Sequence, residues 1–494
     1  MKKLCEFISE LPATTSAAKF NVYPESVNAI GADYVFMVRG EDADFIVATG
    51  AAAAAFEGEV VTCDACTYVV APTIHKNADA LRAMFSFTAP QQILKKTRTF
   101  GVGDRLGIAT PGHLRVFKEY DAYPILAQQS IRELNLTERG YEDVLDSATF
   151  YVFRDGYKDG FGADGDHLKK PEEIEYALGL GFSMITLDCS EHIRGGVENM
   201  SSAELAAACE LPEALAARYL GVDIEIEGEK LVFDADELRR CVLIYGEAIE
   251  FATGIYTKYF KEGGAKADFE ISIDETATPT SPLQHYFVAN ELILRGVDVA
   301  TMAPRFCGEF QKGVDYIGDL AQFERELKTH AAIARNFGYK LSIHSGSDKF
   351  STFALIGKYT NGNFHVKTAG TNWLEAMRAV AAADPALYRE IHAFALAKFE
   401  DAKKFYHVTT DLNKIPALDT LSDAELPTLF TMNDARQLIH ITYGFILTDR
   451  NADGSYRFKT RLYKFWREKE SVYSDMLYAH IGKHLALLYD GFRA

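Results

Sequence analysis

Short apolar or β-branched runs alternate, along most of the chain, with stretches whose apolar residues recur at helical spacing. From about residue 104 the runs fall at 106–110, 124–128, 149–153, 184–188, 269–274, 299–303, 340–344 and 364–368, with 406–410 a ninth candidate for eight places. Runs separated by helical patterns are the mark of βαβ units around a parallel sheet. Among the helical patterns, Pro171-Glu172-Glu173-Ile174 opens with the proline and carboxylates that a first turn favours. Residues 284–294 and 320–336 carry clear apolar stripes. The pattern predicts an α/β protein built on a TIM-like (β/α)8 barrel. Residues 1–100 read as a mixed α/β layer before it, and the barrel spans 101–425. A mainly helical insertion at about 195–266 follows the fourth strand and includes an acidic, hairpin-like stretch at 222–233. Residues 426–494 form a helical, aromatic-rich C-terminal extension.

Alternation within the strands says which side chains face inward. In Phe269-Glu270-Ile271-Ser272-Ile273-Asp274 the apolar set meets the outer helices, which turns Glu270, Ser272 and Asp274 to the interior. The same reading turns Ser342 and His344 inward on 340–344, and Thr186 and Asp188 inward on 184–188. Charges inside a barrel need partners or a metal. Barrel active sites lie at the carboxyl ends of the strands, where several of these runs finish in Asp, His, Glu, Arg or Lys.

Two polar clusters stand out. Gly162-Ala163-Asp164-Gly165-Asp166-His167-Leu168-Lys169 has almost nothing apolar to pack and reads as a glycine-rich loop. Ser342-Ile343-His344-Ser345-Gly346-Ser347-Asp348-Lys349 is its counterpart further along. His113 and His192 are as well explained by structure as by chemistry, His285 reads as structural, and His407 and His440 carry no assigned role.

Composition narrows the partners. The 494 residues are 48% hydrophobic and 25% charged, as in an ordinary globular enzyme, and the formal charge is −18. That balance argues against nucleic acid or an anionic membrane as a partner. A small anion remains open, met by one or two local cations. Seven scattered cysteines point to a reducing compartment, with Cys63-Asp64-Ala65-Cys66 taken as two unrelated thiols. The start, Met1-Lys2-Lys3-Leu4-Cys5-Glu6, lacks the apolar core of a signal peptide, and Ala51 to Ala55 is too short to span a bilayer. The expectation is a cytoplasmic protein without a membrane partner, whose aromatic tail gives a second copy something to bury.

His167 and His344, from different strands, with a carboxylate from Glu309 or Glu270, make a two-imidazole, one-carboxylate set. Such a set suits Zn²⁺, Mn²⁺, Ni²⁺ or Co²⁺. Asp166 is placed to take a proton from a substrate hydroxyl, and Glu270 to return one. Arg305 or Lys349 could hold a substrate carboxylate.

The strings 162–169, 270–282, 303–319, 342–349 and 368–373 together resemble the bacterial tagaturonate epimerase family, and the likeness runs along most of the chain. The resemblance implies a metal-dependent isomerase interconverting D-tagaturonate and D-fructuronate in hexuronate catabolism. It also implies Asp166 as proton acceptor, His167 and His344 as metal ligands, and a strand-five carboxylate as donor. Glu270 matches that donor by parity, with Asp274 and Glu275 as rivals. Glu309, in Arg305-Phe306-Cys307-Gly308-Glu309-Phe310, is the expected third ligand, and Asp274 then joins Arg305 and Lys349 as a substrate contact. The two sugars differ at the carbinol β to the ketone, whose C–H is not acidic. A retro-aldol opening and re-closure is therefore the expected route, and a nicotinamide route has no GxGxxG to support it. The rivals are a metal-dependent sugar aldolase, a ketose isomerase, and a sugar-acid binding protein without catalysis.

Overall fold

A computed structural model describes residues 4–63 and 66–493. Met1-Lys2-Lys3 at the start, and Asp64-Ala65 within the CxxC, lie outside the described residues. The first layer is an antiparallel sheet of β1 (Asn28–Ile30), β2 (Asp33–Arg39), β3 (Asp44–Thr49), β4 (Glu59–Cys63) and β5 (Cys66–Pro72), in the order β1-β2-β3-β5-β4. Its central strands are apolar on both faces because both are covered. Phe36 and Val38 of β2 pack with Leu4 and Phe7, whereas Val35 and Met37 pack with Ala78, Leu81, Phe150 and Phe153. The β4–β5 hairpin sets Cys63 opposite Cys66, and helix Leu4–Glu10 brings Cys5 to the same spot. There Cys5 and Cys63 form a disulfide, with the Cys66 Sγ 3.5 Å from that of Cys63. The CxxC is therefore not two unrelated thiols, and the disulfide departs from the reading of seven reduced cysteines.

The barrel is closed and parallel: β6 (Arg98–Val102), β7 (Tyr123–Ser130), β8 (Gly162–Leu168), β9 (Met184–Asp188), β12 (Asp268–Ile273), β13 (Thr301–Pro304), β14 (Lys340–Ile343) and β15 (Phe364–Thr368). Between its halves, β10 (Ile224–Ile226) and β11 (Glu229–Leu231) pair as a hairpin, followed by helix Ala235–Ile255.

Three of the nine runs are not strands. Residues 106–109 form a turn whose backbone N–H groups at Leu106 and Ala109 are capped by the Asp104 carboxylate, Thr110 opens helix Thr110–Phe117, and the first strand is Arg98–Val102 instead. Residues 149–153 lie in helix Tyr141–Arg154. That helix is wedged between barrel and sheet, with Val152 in one core and Phe150 and Phe153 in the other. Its segment Thr149-Phe150-Tyr151-Val152-Phe153 is β-branched and aromatic, a composition that favours a strand until tertiary packing overrides it. Residues 406–410 have no regular structure. The 162–169 cluster is not a loop but strand β8, almost wholly buried, because its polar side chains fill the barrel rather than meet water. Gly165 faces outward there, where a Cβ would press on Leu168, Ala177 and Ile185, so the helix behind it needs the missing side chain.

Beyond β15, helices Thr371–Ala383, Pro385–Ala402, Asn433–Ile441, Tyr443–Thr448 and Lys459–Glu468 gather around Trp373, Tyr443 and Trp466 in a second core. The last helix, Glu470–Arg493, lies against helix Phe350–Tyr359, where Gly357 and Gly491 let the two backbones meet. Among the described residues no helix is long and apolar enough to cross a membrane.

Candidate active site

Strand parity places the interior groups in layers. Lowest, the Lys340 ammonium donates to Lys96 C=O at 2.6 Å and to Thr99 Oγ1 at 2.7 Å. In the middle, Lys367 Nζ of β15 meets Asp164 Oδ2 at 2.7 Å, Glu270 Oε1 at 3.2 Å and Thr186 Oγ1 at 2.8 Å, and also pairs with Asp166. Sequence reading overlooked Lys367. The parity rule would have found it, since Phe364, Val366 and Thr368 alternate with His365 and Lys367 on the last strand.

At the top, β8 breaks its alternation. His167 has φ +56°, and the pairing with β9 shifts register between Gly165 and Leu168. Such a bulge re-aims a side chain, so that consecutive residues Asp166 and His167 both line the cavity. His344 follows β14 directly, and its ring centroid lies 4.8 Å from that of His167.

Each ring has one nitrogen tied to a carboxylate behind it. His167 Nδ1 is 2.8 Å from Asp166 Oδ1, and His344 Nε2 is 2.7 Å from Glu270 Oε1. The remaining nitrogens turn toward Asp274 Oδ1, at 4.0 Å for His167 Nε2 and 3.1 Å for His344 Nδ1. One ligand atom from each of His167, Asp274 and His344 lies within 4.8 Å of the others. Metal-binding histidines are held this way, by a carboxylate on the far ring nitrogen that fixes tautomer and orientation.

The charges around this point are strongly acidic. Burial, with Asp166 and Glu270 nearby, pushes the Asp164 carboxyl up to about 7 although Lys367 opposes it. Against the cost of their own burial, Asp166 is held far below the carboxylate range by Lys367 and His167, and Glu270 by Lys367 and His344. Burial alone would lower His344, but Asp274 and Glu270 raise it to about 10. Asp164, Asp166, Glu270 and Asp274 thus surround one ammonium and two imidazoles. Two neutral-capable nitrogens and a carboxylate oxygen in an electronegative pocket fit a divalent cation.

The cavity above holds about 330 Å³ and is lined by Asp166, His167, Asp188, Asp274, His344, Ser345 and Lys367. An outer chamber of about 580 Å³ shares Asp274, Glu275, His344 and Ser345 with it.

Not every residue singled out from the sequence is there. Glu309 stands half-exposed in the outer chamber, 3.8 Å from His407 Nε2, and does not join the two histidines; Asp274, the residue just after β12, occupies that place. Because 309 belongs to the irregular loop after β13, no periodicity could say where its side chain points. Lys349 is fully buried and donates to the carbonyls of Gln311, Val314 and Ser347, so it pins loops rather than facing a ligand. Arg305 lines only the outer chamber, bonded to Thr276 C=O. Glu270 is fully buried below His344, its oxygens shared among Thr186, Thr301, His344 and Lys367, which leaves Asp274 and Glu275 as the carboxylates after β12 that line the cavity. His113 bonds Asn372 Oδ1 in the core, and His285 pairs with His330.

A model of the tagaturonate epimerase family matches residues 23–488. The tagaturonate/fructuronate epimerase of Thermotoga maritima is 45% identical over 418 residues, 84% of this chain and 85% of that protein. Crystal structures of fructuronate-tagaturonate epimerase from Cohnella laeviribosi, one native and one with glycerol, superpose with a TM-score of 0.93 at 50% identity, covering 99% of both chains. The family match over most of the chain and these relatives, which share its fold, show that the chain belongs to the tagaturonate epimerase family, a family of isomerases.

Proposed function

We propose that this protein interconverts D-tagaturonate and D-fructuronate at the cavity above β8, β12 and β14, with a divalent cation held by His167, Asp274 and His344. The observation that carries the reading is the pair of imidazoles, each backed by a carboxylate and each turning its other nitrogen toward Asp274. Bound there, the cation would polarise the substrate ketone and offset the negative charge of an enediolate.

The residues divide the remaining work. Asp166, kept ionised by Lys367 and His167, accepts the proton of the hydroxyl β to the ketone. Being a weak base, it acts as the bond between the α and β carbons opens, whose electron pair stays on the α carbon. The β carbon leaves as an aldehyde. Rotation presents its other face, the α carbon re-adds, and the new alkoxide takes a proton back, from Asp166 or from Glu275 across the cavity. Atoms and charge balance with no other reactant. Glu270 orients His344 and does not touch the sugar, in line with its burial.

The test is metal analysis of the purified protein together with an NMR assay on each keto-uronate. Turnover with inversion only at the β carbinol, lost in Asp166→Asn and lost on chelation, is the expected result. Full activity after exhaustive chelation would sink the metal reading, and a product of different mass would favour an aldolase.

A further inference from the structure

A keto-uronate carries a carboxylate that a metal-and-base site does not by itself recognise. The cavity walls are mostly acidic, with Glu133, Asp166, Glu173, Asp188, Asp274 and Glu275 among the lining residues. An anion enters such a place only where local cations are left unneutralised.

The cations can be sorted by what already holds them. Lys367 is enclosed by three carboxylates. Lys169 lies 3.4 Å from Asp188 and 3.7 Å from Glu191. Arg305 is bonded to Thr276 C=O, and Lys349 to three carbonyls. Two remain. Arg132, two residues past the end of β7, lies over the Tyr406 ring at 5.1 Å, and Lys312, on the loop after β13, donates to Ser345 Oγ at 3.3 Å. Among the described residues neither has a carboxylate within ion-pair distance. Both line the inner cavity and the outer chamber, at the boundary where His344 and Ser345 are also shared.

We propose that Arg132 and Lys312 clamp the carboxylate of the substrate at the boundary between the two chambers. The proposal rests on the keto-uronate reading of the same cavity and adds what makes the site select an acid over a neutral sugar. A guanidinium lying over an aromatic ring presents its N–H edge to a carboxylate, and an ammonium adds a point charge beside it. The clamp also matters to the reaction. The aldehyde fragment carries the carboxylate, so a fixed carboxylate retains the fragment while its reactive end turns over. Burial lowers the Lys312 ammonium's pKa, a cost that an anion alongside offsets.

The experiment compares the full-length enzyme with Arg132→Gln, Lys312→Met and Lys312→Arg, measuring KM for D-fructuronate and competitive inhibition by D-fructose, which lacks the carboxylate. Each neutral variant should raise KM about tenfold to a hundredfold, the loss of one charge-assisted hydrogen bond. Inhibition by D-fructose should stay within about twofold, and Lys312→Arg should recover most of the affinity. Trapping free aldehyde with a hydrazine reagent should show more escape per turnover in the neutral variants. An unchanged KM in both neutral variants overturns the clamp, as does equal weakening of the acid and D-fructose, which marks a structural role. If wild-type enzyme does not epimerise D-fructuronate at all, the fault lies in the functional reading and not in the clamp.

Discussion

Two clusters in this molecule share one composition, two histidines and an aspartate whose ligand atoms lie within 4.8 Å of one another: His167, Asp274 and His344, and Asp348, His480 and His484. They differ in what already occupies them. In the first, carboxylates hold the far sides of both rings and the near sides open on a cavity. In the second, the Asp348 Oδ1 that faces both histidines is already bonded to His480 Nε2, and Arg436 donates to the other oxygen, Oδ2, at 2.6 Å. His484 accepts from the Asp348 N–H at 3.0 Å and donates to His480 C=O at 2.8 Å, and His480 Nδ1 faces Glu375 at 3.2 Å. That cluster straps the last helix to the loop after β14. The electrostatics separate in the same way. Carboxylates raise His344 to about 10, whereas burial and the neighbouring His480 lower His484 to about 3. A ligand-like composition becomes a site only where donors are left over.

The sharpest test of this contrast removes one imidazole from each cluster. His344→Gln should cut keto-uronate turnover by about a thousandfold or more, the scale of losing a Lewis acid, and abolish bound metal. His484→Gln should leave metal content unchanged. Next comes the carboxylate behind a ring: Glu270→Gln should weaken cation affinity about tenfold to a hundredfold in a chelator competition titration.

In the strap, His484→Ala should cost about 1–3 kcal/mol, leaving the buried Asp348 N–H without its acceptor. Thermal melting reads that loss, and turnover by the folded fraction should persist. The strap should also be acid-sensitive. His484 is neutral in the fold and has an ordinary pKa when unfolded, so above about 6.5 it adds no pH dependence. As pH falls from there toward about 3, the unfolded chain takes a proton that the fold refuses, and stability drops by about 1.4 kcal/mol per pH unit. A melting-temperature profile between pH 6.5 and 4 should be flatter in His484→Gln, and an identical slope would contradict the assignment. The smallest effect belongs to Glu309→Gln, which should change turnover by less than about twofold, as expected of a surface substitution that touches neither cluster.

How much of this was legible depended on local rules. Parity on β12 and β14 pointed Glu270, Ser272 and His344 inward, because alternation follows from the pleat alone. Helix Tyr141–Arg154 misled the same reasoning, since its run of β-branched and aromatic residues at 149–153 has the composition of a strand and packing between two cores decided otherwise. Asp166 and His167 were picked out for their chemistry, yet their shared direction comes from a bulge whose positive φ no pattern announces.

From sequence alone came the barrel and the inward Glu270 and His344, set by periodicities of two and 3.6 that any strand or helix must obey, with Asp166 and His167 singled out by their chemistry. The tertiary structure decided the rest: Asp274 and not Glu309 beside the histidines, Glu270 buried behind the His344 ring, Lys349 tied to carbonyls, and Arg132 and Lys312 without a carboxylate in ion-pair distance among the described residues. Those outcomes turn on which loops meet above the strands and which polar groups satisfy one another there. Pairings between groups on different strands and loops, such as Glu270 with His344 or Lys349 with Gln311, leave no trace in the local pattern.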